Sequence, residues 1–311
     1  MKVVYGHTDS IYVQIPTIEE SEKICTELNT HVQSIFPNVM KLDNHPVQLE
    51  FEKYYKTLGV GCVKNRNAGF ISWKDGKYLD EPQFIVTGFT MKRISETKLE
   101  KEVQSTVIKM WVNESPKKEI VKYVTDKFNE VKHGKISIEA ITKRTRVKEE
   151  RLKVKHKCGK HYQLSELITI WKDFVRNKSM LTADNNWPEC IKCGYSMVDT
   201  MFTTLEGKRI SIGSGLMGLL EYNQNNSPIE DSYIFMKCLP EGRKFFTPFG
   251  KEKPLNYASV KEINELKKYT PDYAFYADAV IRKAKPIFDA MSWDINECRQ
   301  DNNQKMLDDW W

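Results

Sequence analysis

The chain has 311 residues, 40% of them hydrophobic, so it is long enough for two domains with cores of their own. Its 48 lysines and arginines exceed its 42 acidic residues, and the net charge of +6 suits a phosphate-bearing partner without requiring one. No signal peptide is recognisable, and the longest apolar stretch, residues 210–220, is too short and glycine-broken to cross a bilayer. The sequence therefore predicts a cytoplasmic protein without membrane contact.

Two short apolar runs enclose a polar turn at the start of the chain. The runs are residues 3–5 and 11–13, and the turn between them carries His7, Thr8 and Asp9. This pattern predicts a β-hairpin with a carboxylate at its tip. Aspartate also favours ordinary turns because its side chain bonds the local backbone, so a purely structural turn is the alternative.

The hexapeptide YGHTDS at residues 5–10 resembles the YGDTDS of family B DNA polymerases. In that family the hairpin lies in the palm, and its second aspartate helps to hold two catalytic metal ions. The resemblance implies that Asp9 is a catalytic magnesium ligand with His7 and Thr8 as its neighbours. His7 stands where the family has its first aspartate.

The family's other essential aspartate and its nucleotide-binding helix precede the hairpin, whereas only four residues precede Tyr5 here. The resemblance therefore implies the small subunit of a split, archaeal-type polymerase. Two magnesium ions need hard oxygen ligands held on rigid backbone, and one carboxylate is not enough. We expect a DNA-directed DNA polymerase that is active only with a large fragment and inactive as this chain alone.

The next segments continue the resemblance in order. Residues 17–20 match a capping box, and apolar residues then recur at helical spacing, which predicts a helix. Residues 47–52 alternate as a strand and are similar to the acidic strand beside the family's catalytic hairpin. Glu50 or Glu52 is therefore a candidate neighbour of the metals, with a solvated strand face as the alternative for at least one of them.

Residues 64–69, with the sequence KNRNAG, resemble the family's KKRYAG segment, whose second lysine and tyrosine support the primer end. The resemblance implies that Lys64 and Arg66 contact the backbone of primer–template DNA. Asn65 and Asn67 occupy the positions of that lysine and tyrosine. These two departures favour a non-catalytic protein over an efficient enzyme.

Two later stretches resemble the thumb region of the family. Residues 87–93 are similar to the RG-x-E-x-x-RR stretch that leads from palm to thumb, and residues 141–144 to the IHKxLTR of thumbs. Their basic side chains are implied DNA contacts: Lys92, Arg93, Lys143 and Arg144. Residues 143–160 hold nine lysines and arginines against two glutamates, which predicts salt-dependent attraction to phosphates or, alternatively, a solvated surface.

Two couplets of metal-binding residues follow, Cys158 with His161 and Cys190 with Cys193, each with two residues between its members. This is zinc-ribbon spacing, and neighbouring glycines permit the close turns that surround one tetrahedral ion. His156 is the alternative fourth ligand if His161 points away. Four protein ligands leave no open position, so the predicted zinc is structural; free buried cysteines are the alternative.

The last eight residues match the peptide pattern that binds sliding clamps. Gln304 is followed at fixed spacing by Leu307, Trp310 and Trp311. One short helical turn places the three apolar side chains on a single face that can fill a hydrophobic pocket. Archaeal family B polymerases commonly end in such a peptide, so the expected partner is a sliding clamp. A tail packed on its own domain is the alternative.

Together these patterns predict an α+β fold, in which a palm remainder of antiparallel strands and packed helices precedes a mainly helical thumb with a zinc-ribbon-like insert. Helical spacing predicts further helices starting at Ser95, Ser115 and Thr270, and residues 232–237 have the pattern of a strand. The predicted segments are palm 1–110, thumb 111–154, insert 155–196, thumb 197–295 and tail 296–311.

Two functions remain open. The first is the small subunit of a split polymerase, which supplies Asp9, primer–template contacts and a clamp-binding tail to DNA synthesis. The alternative is a non-catalytic accessory protein, derived from a polymerase, that binds DNA and the clamp. His7, Asn65 and Asn67 favour the accessory protein, whereas Asp9 and the predicted palm strands favour the enzyme.

Overall fold

The computed structural model describes residues 2–7, 10–93, 95–146, 153–156, 158–163, 165–166, 168–169, 190–194, 201–203, 223, 232–246 and 252–300. The chain divides into two compact units. The first comprises residues 1–91, 103–125 and 281–311, and the second residues 92–102 and 126–280. Within the described ranges, none of the helices is long and apolar enough to cross a membrane.

The first unit begins with a β-hairpin, a helix and a three-stranded antiparallel sheet. The elements are β1 (Lys2–His7), β2 (Ser10–Gln14), α1 (Ile18–Ile35), β3 (Lys53–Val60), β4 (Asn67–Lys74) and β5 (Lys77–Thr87). The strands β1 and β2 pair as a hairpin, and β3, β4 and β5 form a sheet in that order. The predicted opening hairpin is therefore confirmed.

Helix α1 starts where the capping pattern predicts. The Thr17 side chain accepts a hydrogen bond from the Glu20 backbone N–H at 3.1 Å, which satisfies one of the free donors of the first turn. Glu19 and Glu20 add negative charge at the positive end of the helix dipole. The helix then continues to Ile35.

The strand predicted at residues 47–52 is wrong, because β3 starts only at Lys53. The alternation itself is present, with Val47, Leu49 and Phe51 half-buried and the residues between them exposed. The Asn29 side chain bonds both backbone groups of Leu49, at 2.7 Å to its N–H and 2.8 Å to its carbonyl oxygen. These groups are thus unavailable to a neighbouring strand, and the segment lies extended outside any ladder.

Three helices follow the sheet: α2 (Lys98–Val112), α3 (Lys117–Lys132) and the short α4 (Ile138–Ile141). Helix α2 starts three residues after the predicted Ser95, because Thr97 and Glu100 form a reciprocal cap. The Thr97 backbone N–H donates to the Glu100 carboxylate at 2.9 Å, and the Glu100 N–H donates to the Thr97 hydroxyl at 3.2 Å. Helix α3 ends before Gly134, which has a φ of +70°.

Helix α2 lies against the β3–β4–β5 sheet in the first unit. Its Trp111 covers Gly59 of β3 so closely that a Cβ at Gly59 would stand 2.5 Å from the indole ring. The ammonium group of Lys109 lies 5.3 Å from the ring centre of Phe84 on β5. Buried Val103 and Val107 complete the apolar face of the helix.

The second unit contains the remaining strands: β6 (Lys143–Arg146), β7 (Lys153–Lys155), β8 (His161–Tyr162), β9 (Met201–Thr203), β10 (Ser232–Lys237), β11 (Lys244–Phe246), β12 (Glu252–Pro254) and β13 (Tyr257–Val260). Among the described residues they pair as β13–β10–β6, β8–β7–β9 and β11–β12, all antiparallel. Arg146 of β6 stands opposite Ser232 of β10. The chain therefore leaves this sheet after β6 and returns to it beside the point of departure.

Helix α5 (Tyr273–Ala290) includes Pro286 and buries Val280, Ile287 and Phe288, as its spacing predicts. The backbone N–H of Lys237 donates to the Tyr276 hydroxyl at 2.8 Å, which ties the helix to the end of β10 in the second unit. The described elements are thus a mixture of helices and antiparallel sheets, which confirms the predicted α+β class. The palm and thumb segments stay predictions.

Glycine substitutions test the packing of the first unit. Gly88 has a φ of +75°, and a Cβ there would overlap the carbonyl oxygen of Asn65. Gly76 has a similar φ of +80° with no atom within 4 Å of a Cβ, so it is the matched control. We expect Gly76→Ala to cost about 1 kcal/mol of unfolding free energy from backbone strain, and Gly88→Ala about 1–3 kcal/mol more from overpacking. Urea denaturation measures both, and equal losses would contradict the described contact.

Candidate active site and metal centre

The residues with the predicted catalytic role stand at the turn of the β1–β2 hairpin. His7 of β1 stands opposite Ser10 of β2, so Thr8 and Asp9 form the connection between the strands. Thr8, Asp9 and the side chain of His7 lie outside the described residues. The described part of the hairpin therefore ends at His7 and Ser10, on either side of this connection.

One side chain joins this hairpin to the loop between β3 and β4. The Tyr5 hydroxyl donates to the Asn65 side-chain oxygen at 2.9 Å and accepts from the Asn65 backbone N–H at 3.2 Å. Asn65 has a φ of +64°, a left-handed conformation that asparagine tolerates better than most residues. The asparagine at the position of the family's second lysine is therefore bound within the chain by both its backbone and its side chain.

Aromatic rings extend the same attachment to the sheet. Tyr5 and Tyr12 pair across the hairpin with ring centres 5.5 Å apart, and Tyr12 lies 5.9 Å from Tyr55 of β3. Burial raises the pKa of Tyr55 to about 12, and the neighbouring Tyr12 adds to the shift. The Tyr55 hydroxyl therefore remains neutral at physiological pH. The hairpin contacts β3 through this chain of rings.

The predicted DNA-contacting residues of the first unit belong to this β3–β4 loop. Lys64 is exposed, and the Arg66 guanidinium lies 5.9 Å from the ring centre of Phe89. The loop is closed by the Gly61 backbone N–H, which donates to the Arg66 carbonyl at 2.8 Å. Because Asn65 lies between these two residues, the Tyr5 contact joins their loop to the hairpin. Glu50, the other predicted neighbour, is exposed.

The remaining predicted DNA contacts belong to the second unit. Arg93 is exposed and follows a 3₁₀ turn that ends at Lys92, whose side chain lies outside the description. Lys143 and Arg144 start β6; Arg144 is exposed, and the Lys143 ammonium lies 5.5 Å from the Phe235 ring centre. Gln304, Leu307, Trp310 and Trp311 of the predicted clamp peptide lie outside the described residues.

Four potential metal ligands converge in the second unit: His156, Cys158, Cys190 and Cys193. Their ligand atoms all lie within 4.8 Å of one another. The His156 Nδ1 stands 3.2 Å from the Cys158 sulfur and 3.6 Å from the Cys193 sulfur, and the sulfurs of Cys158 and Cys190 are 3.7 Å apart. His156 is fully buried and Cys190 is 2% exposed.

Two tight turns bring these ligands together. In the first, the backbone N–H of Gly159 donates to the His156 carbonyl at 2.9 Å, and Gly159 has a φ of +85°. In the second, the N–H of Gly194 donates to the Cys190 carbonyl at 2.8 Å, with a φ of +70°. Both conformations are easy for glycine and strained for other residues, as the couplet pattern predicts.

The histidine of the cluster is His156, the alternative ligand of the sequence analysis, and His161 is not part of the cluster. His161 is exposed on β8, where it stands opposite Lys155 of β7. Successive side chains of a strand point to opposite faces, so the buried Tyr162 faces inward and His161 faces outward. The ligand assignment to His161 is therefore corrected to His156. The pair spacing that favoured His161 contains no information on the strand that carries it.

Hydrogen bonds favour the ionised form of two of the cysteines, Cys158 and Cys190. Burial opposes ionisation of Cys190, but the Tyr162 hydroxyl and the backbone N–H groups of Lys192 and Cys193 outweigh it and lower the pKa of this thiol to about 6. The backbone N–H of Lys160, followed by His156, lowers the pKa of Cys158. Thiolates are the form in which cysteine binds metals, so the cluster suits a soft or borderline cation such as Zn²⁺.

Comparison with known proteins identifies the family of the chain and two of its relatives. The sequence profile of DNA polymerase family B matches residues 1–169, more than half of the 311 residues, and the chain belongs to that family. It is 28% identical over 142 residues to a DNA polymerase of Archaeoglobus fulgidus, which covers 45% of this chain and 15% of that protein. It is 30% identical over 141 residues to the DNA polymerase 037L of Invertebrate iridescent virus 6, which covers 40% of this chain and 11% of the relative. The matches thus span less than a sixth of either relative's length.

The family match and the metal cluster have different extents. The hairpin, the β3–β4–β5 sheet and helices α2 and α3 all lie within residues 1–169. Of the cluster, His156 and Cys158 fall within the match, whereas Cys190 and Cys193 lie beyond it. The opening hairpin is therefore part of the family region, and the metal centre extends past its end.

Proposed function

We propose that this chain contributes the catalytic hairpin and primer–template contacts to a family B DNA polymerase that carries out template-directed DNA synthesis. The observation that carries the proposal is the Tyr5–Asn65 contact within the family-matched region. It joins the hairpin that bears Asp9 to the loop that bears Lys64 and Arg66. A carboxylate for metal and two cations for DNA thus belong to one connected substructure.

In this proposal Asp9 supplies one hard oxygen ligand for Mg²⁺, which would neutralise developing charge on the transferred phosphoryl group. The donor set fits, because protein Mg²⁺ sites commonly use one or two carboxylates together with substrate phosphates. The remaining aspartate and the nucleotide-binding helix come from polymerase residues outside these 311. Lys64 and Arg66 bind the phosphates of the primer–template duplex, which orients the primer end.

A second function is kept because the site departs from the family pattern. Asn65 is engaged by Tyr5 and is shorter than the lysine that the family has there, so it cannot reach a primer end in the same way. His7 replaces a carboxylate, and neutral imidazole is a poorer ligand for Mg²⁺. A non-catalytic DNA- and clamp-binding accessory protein is the function that these two residues favour.

Replacement of Asp9 distinguishes the two functions. We expect Asp9→Asn to lower Mg²⁺-dependent primer extension by the complete polymerase about a hundredfold or more, because a metal-ligating charge is lost. Asp80→Asn, at an exposed position of β5, is the charge-matched control and should keep full activity. Extension that survives Asp9→Asn refutes the catalytic role, and a wild-type complex that binds DNA without extending it supports the accessory protein.

We also propose that a large polymerase fragment is a separate partner chain. Intact-mass spectrometry of the polymerase from its native source separates this arrangement from one longer polypeptide. Two chains that co-purify, one with the mass of these residues, are expected. A single chain that contains the same peptides would refute the split arrangement and leave the role of Asp9 untouched.

We propose a structural zinc ion at the cluster. Ligand atoms 2.0–2.3 Å from zinc stand roughly 3.3–3.8 Å apart at tetrahedral angles. The separations of 3.6 and 3.7 Å fall within this range, and the third, 3.2 Å, is slightly shorter. Three thiolates and one imidazole complete the coordination, so the ion would fix the backbone of this region rather than take part in phosphoryl transfer.

Histidine substitutions identify the fourth ligand. We expect about one zinc per chain in the wild-type protein, tight in the His161→Ala variant and labile to a chelator in the His156→Ala variant, because only His156 reaches the cluster. Mass-spectrometric metal analysis after chelator treatment measures the retained zinc. Retention by His156→Ala with loss from His161→Ala would reverse the assignment, and a metal-free wild type would refute the site.

We propose that the end of the chain binds a sliding clamp. We expect Trp310→Ala with Trp311→Ala to weaken clamp binding about 30-fold or more, because aromatic anchors in a pocket dominate such contacts. Met306→Ala, an apolar truncation at a spacer position, is the matched control and should bind as tightly as wild type. Calorimetry with the cognate clamp gives the affinities. Equal affinity of the wild type and the double variant would refute the proposal.

A further inference from the structure

Tyr162 connects the two halves of the metal cluster without being a ligand. Its side chain is 1% exposed. The hydroxyl donates to the Cys190 sulfur at 3.0 Å and accepts from the Ile191 backbone N–H at 3.0 Å. Tyr162 directly follows His161 on β8, whereas both of its partners belong to the turn that carries the second couplet. One hydrogen bond therefore joins two residues that are 28 positions apart in the chain.

The two contacts fix the direction of the hydroxyl proton. The Ile191 N–H occupies a lone pair of the phenolic oxygen, and the single O–H is then directed at the Cys190 sulfur. A buried hydroxyl without a partner is costly, so this arrangement is maintained by the surrounding structure. The Lys160 ammonium lies 5.1 Å from the centre of the Tyr162 ring, a cation–π contact with the face of the ring.

A donor aimed at a ligating sulfur affects the metal in two ways. It restricts the sulfur to one position relative to the other three ligands, which reduces the ordering needed when the ion binds. It also withdraws electron density from the thiolate, so the sulfur donates less charge to the metal. Partners of this kind, which bind a ligand rather than the ion, commonly set the affinity of a metal site.

We propose that Tyr162 is a positioning residue of the zinc centre, which holds the Cys190 thiolate in its ligating direction and tunes its donation to the metal. The inference rests on the proposed zinc site and adds a residue that no ligand spacing in the sequence indicates. Tyr162 directly follows His161, which lies outside the cluster, and its hydroxyl contacts the turn at Cys190 and Ile191.

Removal of one hydroxyl tests the role. We expect Tyr162→Phe to weaken zinc affinity roughly 10- to 100-fold in competition with a chromophoric chelator. In the protein loaded with Co²⁺, the thiolate-to-cobalt charge-transfer band should move to longer wavelength, because the sulfur loses its hydrogen bond. The band is recorded at saturating Co²⁺, so it reports on the filled site whatever the affinity.

Tyr276→Phe is the matched control. Tyr276 is also buried and its hydroxyl also accepts a backbone N–H, from Lys237 at 2.8 Å, but in the described part of the chain it makes no hydrogen bond to a cysteine of the cluster. This variant should show comparable loss of stability with unchanged zinc affinity and an unchanged cobalt band. A wild type that binds neither metal would refute the zinc site itself. Metal binding with Tyr162→Phe equal to wild type in affinity and band position would refute the role of Tyr162 alone.

Discussion

A two-stranded hairpin has too few contacts to hold its tip in place by itself, and β1–β2 leaves Val3 and Ile11 more than half exposed. Its position depends on the Tyr5 hydroxyl, which bonds both the backbone and the side chain of Asn65, and on the ring contact of Tyr12 with β3. The left-handed conformation of Asn65 and the close approach of Gly88 keep that loop in one shape. The position of the hairpin in the proposed polymerase site thus rests on these hydrogen bonds and ring contacts of Tyr5 and Tyr12.

In the second unit, the strands around the cluster of potential metal ligands make few contacts of their own. Strands β7, β8 and β9 contain only two or three residues each, so their ladder contributes few hydrogen bonds and little apolar area. The cluster crosses 32 residues of chain between Cys158 and Cys190 and gathers the couplets around buried His156. The zinc ion proposed for this cluster would join residues that are far apart in the chain, so its binding would add to the stability of the region.

Local patterns in the sequence predicted the opening hairpin and helix α1, whose start has its own threonine cap. Errors arose where a distant side chain decided the outcome. The backbone groups of Leu49 are taken by Asn29, twenty residues earlier, so an alternating segment forms no ladder. Spacing alone chose His161 as a ligand, whereas the two-residue strand β8 turns it outward and leaves the place to His156. Nothing in the couplet pattern indicated Tyr162, since its partner is reached only through the folded turn.

The pairing of β6 with β10 has a consequence for how this chain can vary. Because Arg146 and Ser232 face each other across an antiparallel ladder, the connection from β6 to β10 begins and ends at neighbouring points of the sheet. A segment with adjacent ends behaves as an excursion: lengthening it costs only the slow, logarithmic growth of loop-closure entropy and strains neither strand. A two-residue turn of the Asn-Gly kind would close the same strands as an ordinary hairpin. The connection between β6 and β10 can therefore be lengthened, shortened or exchanged while the strands that border it keep their pairing.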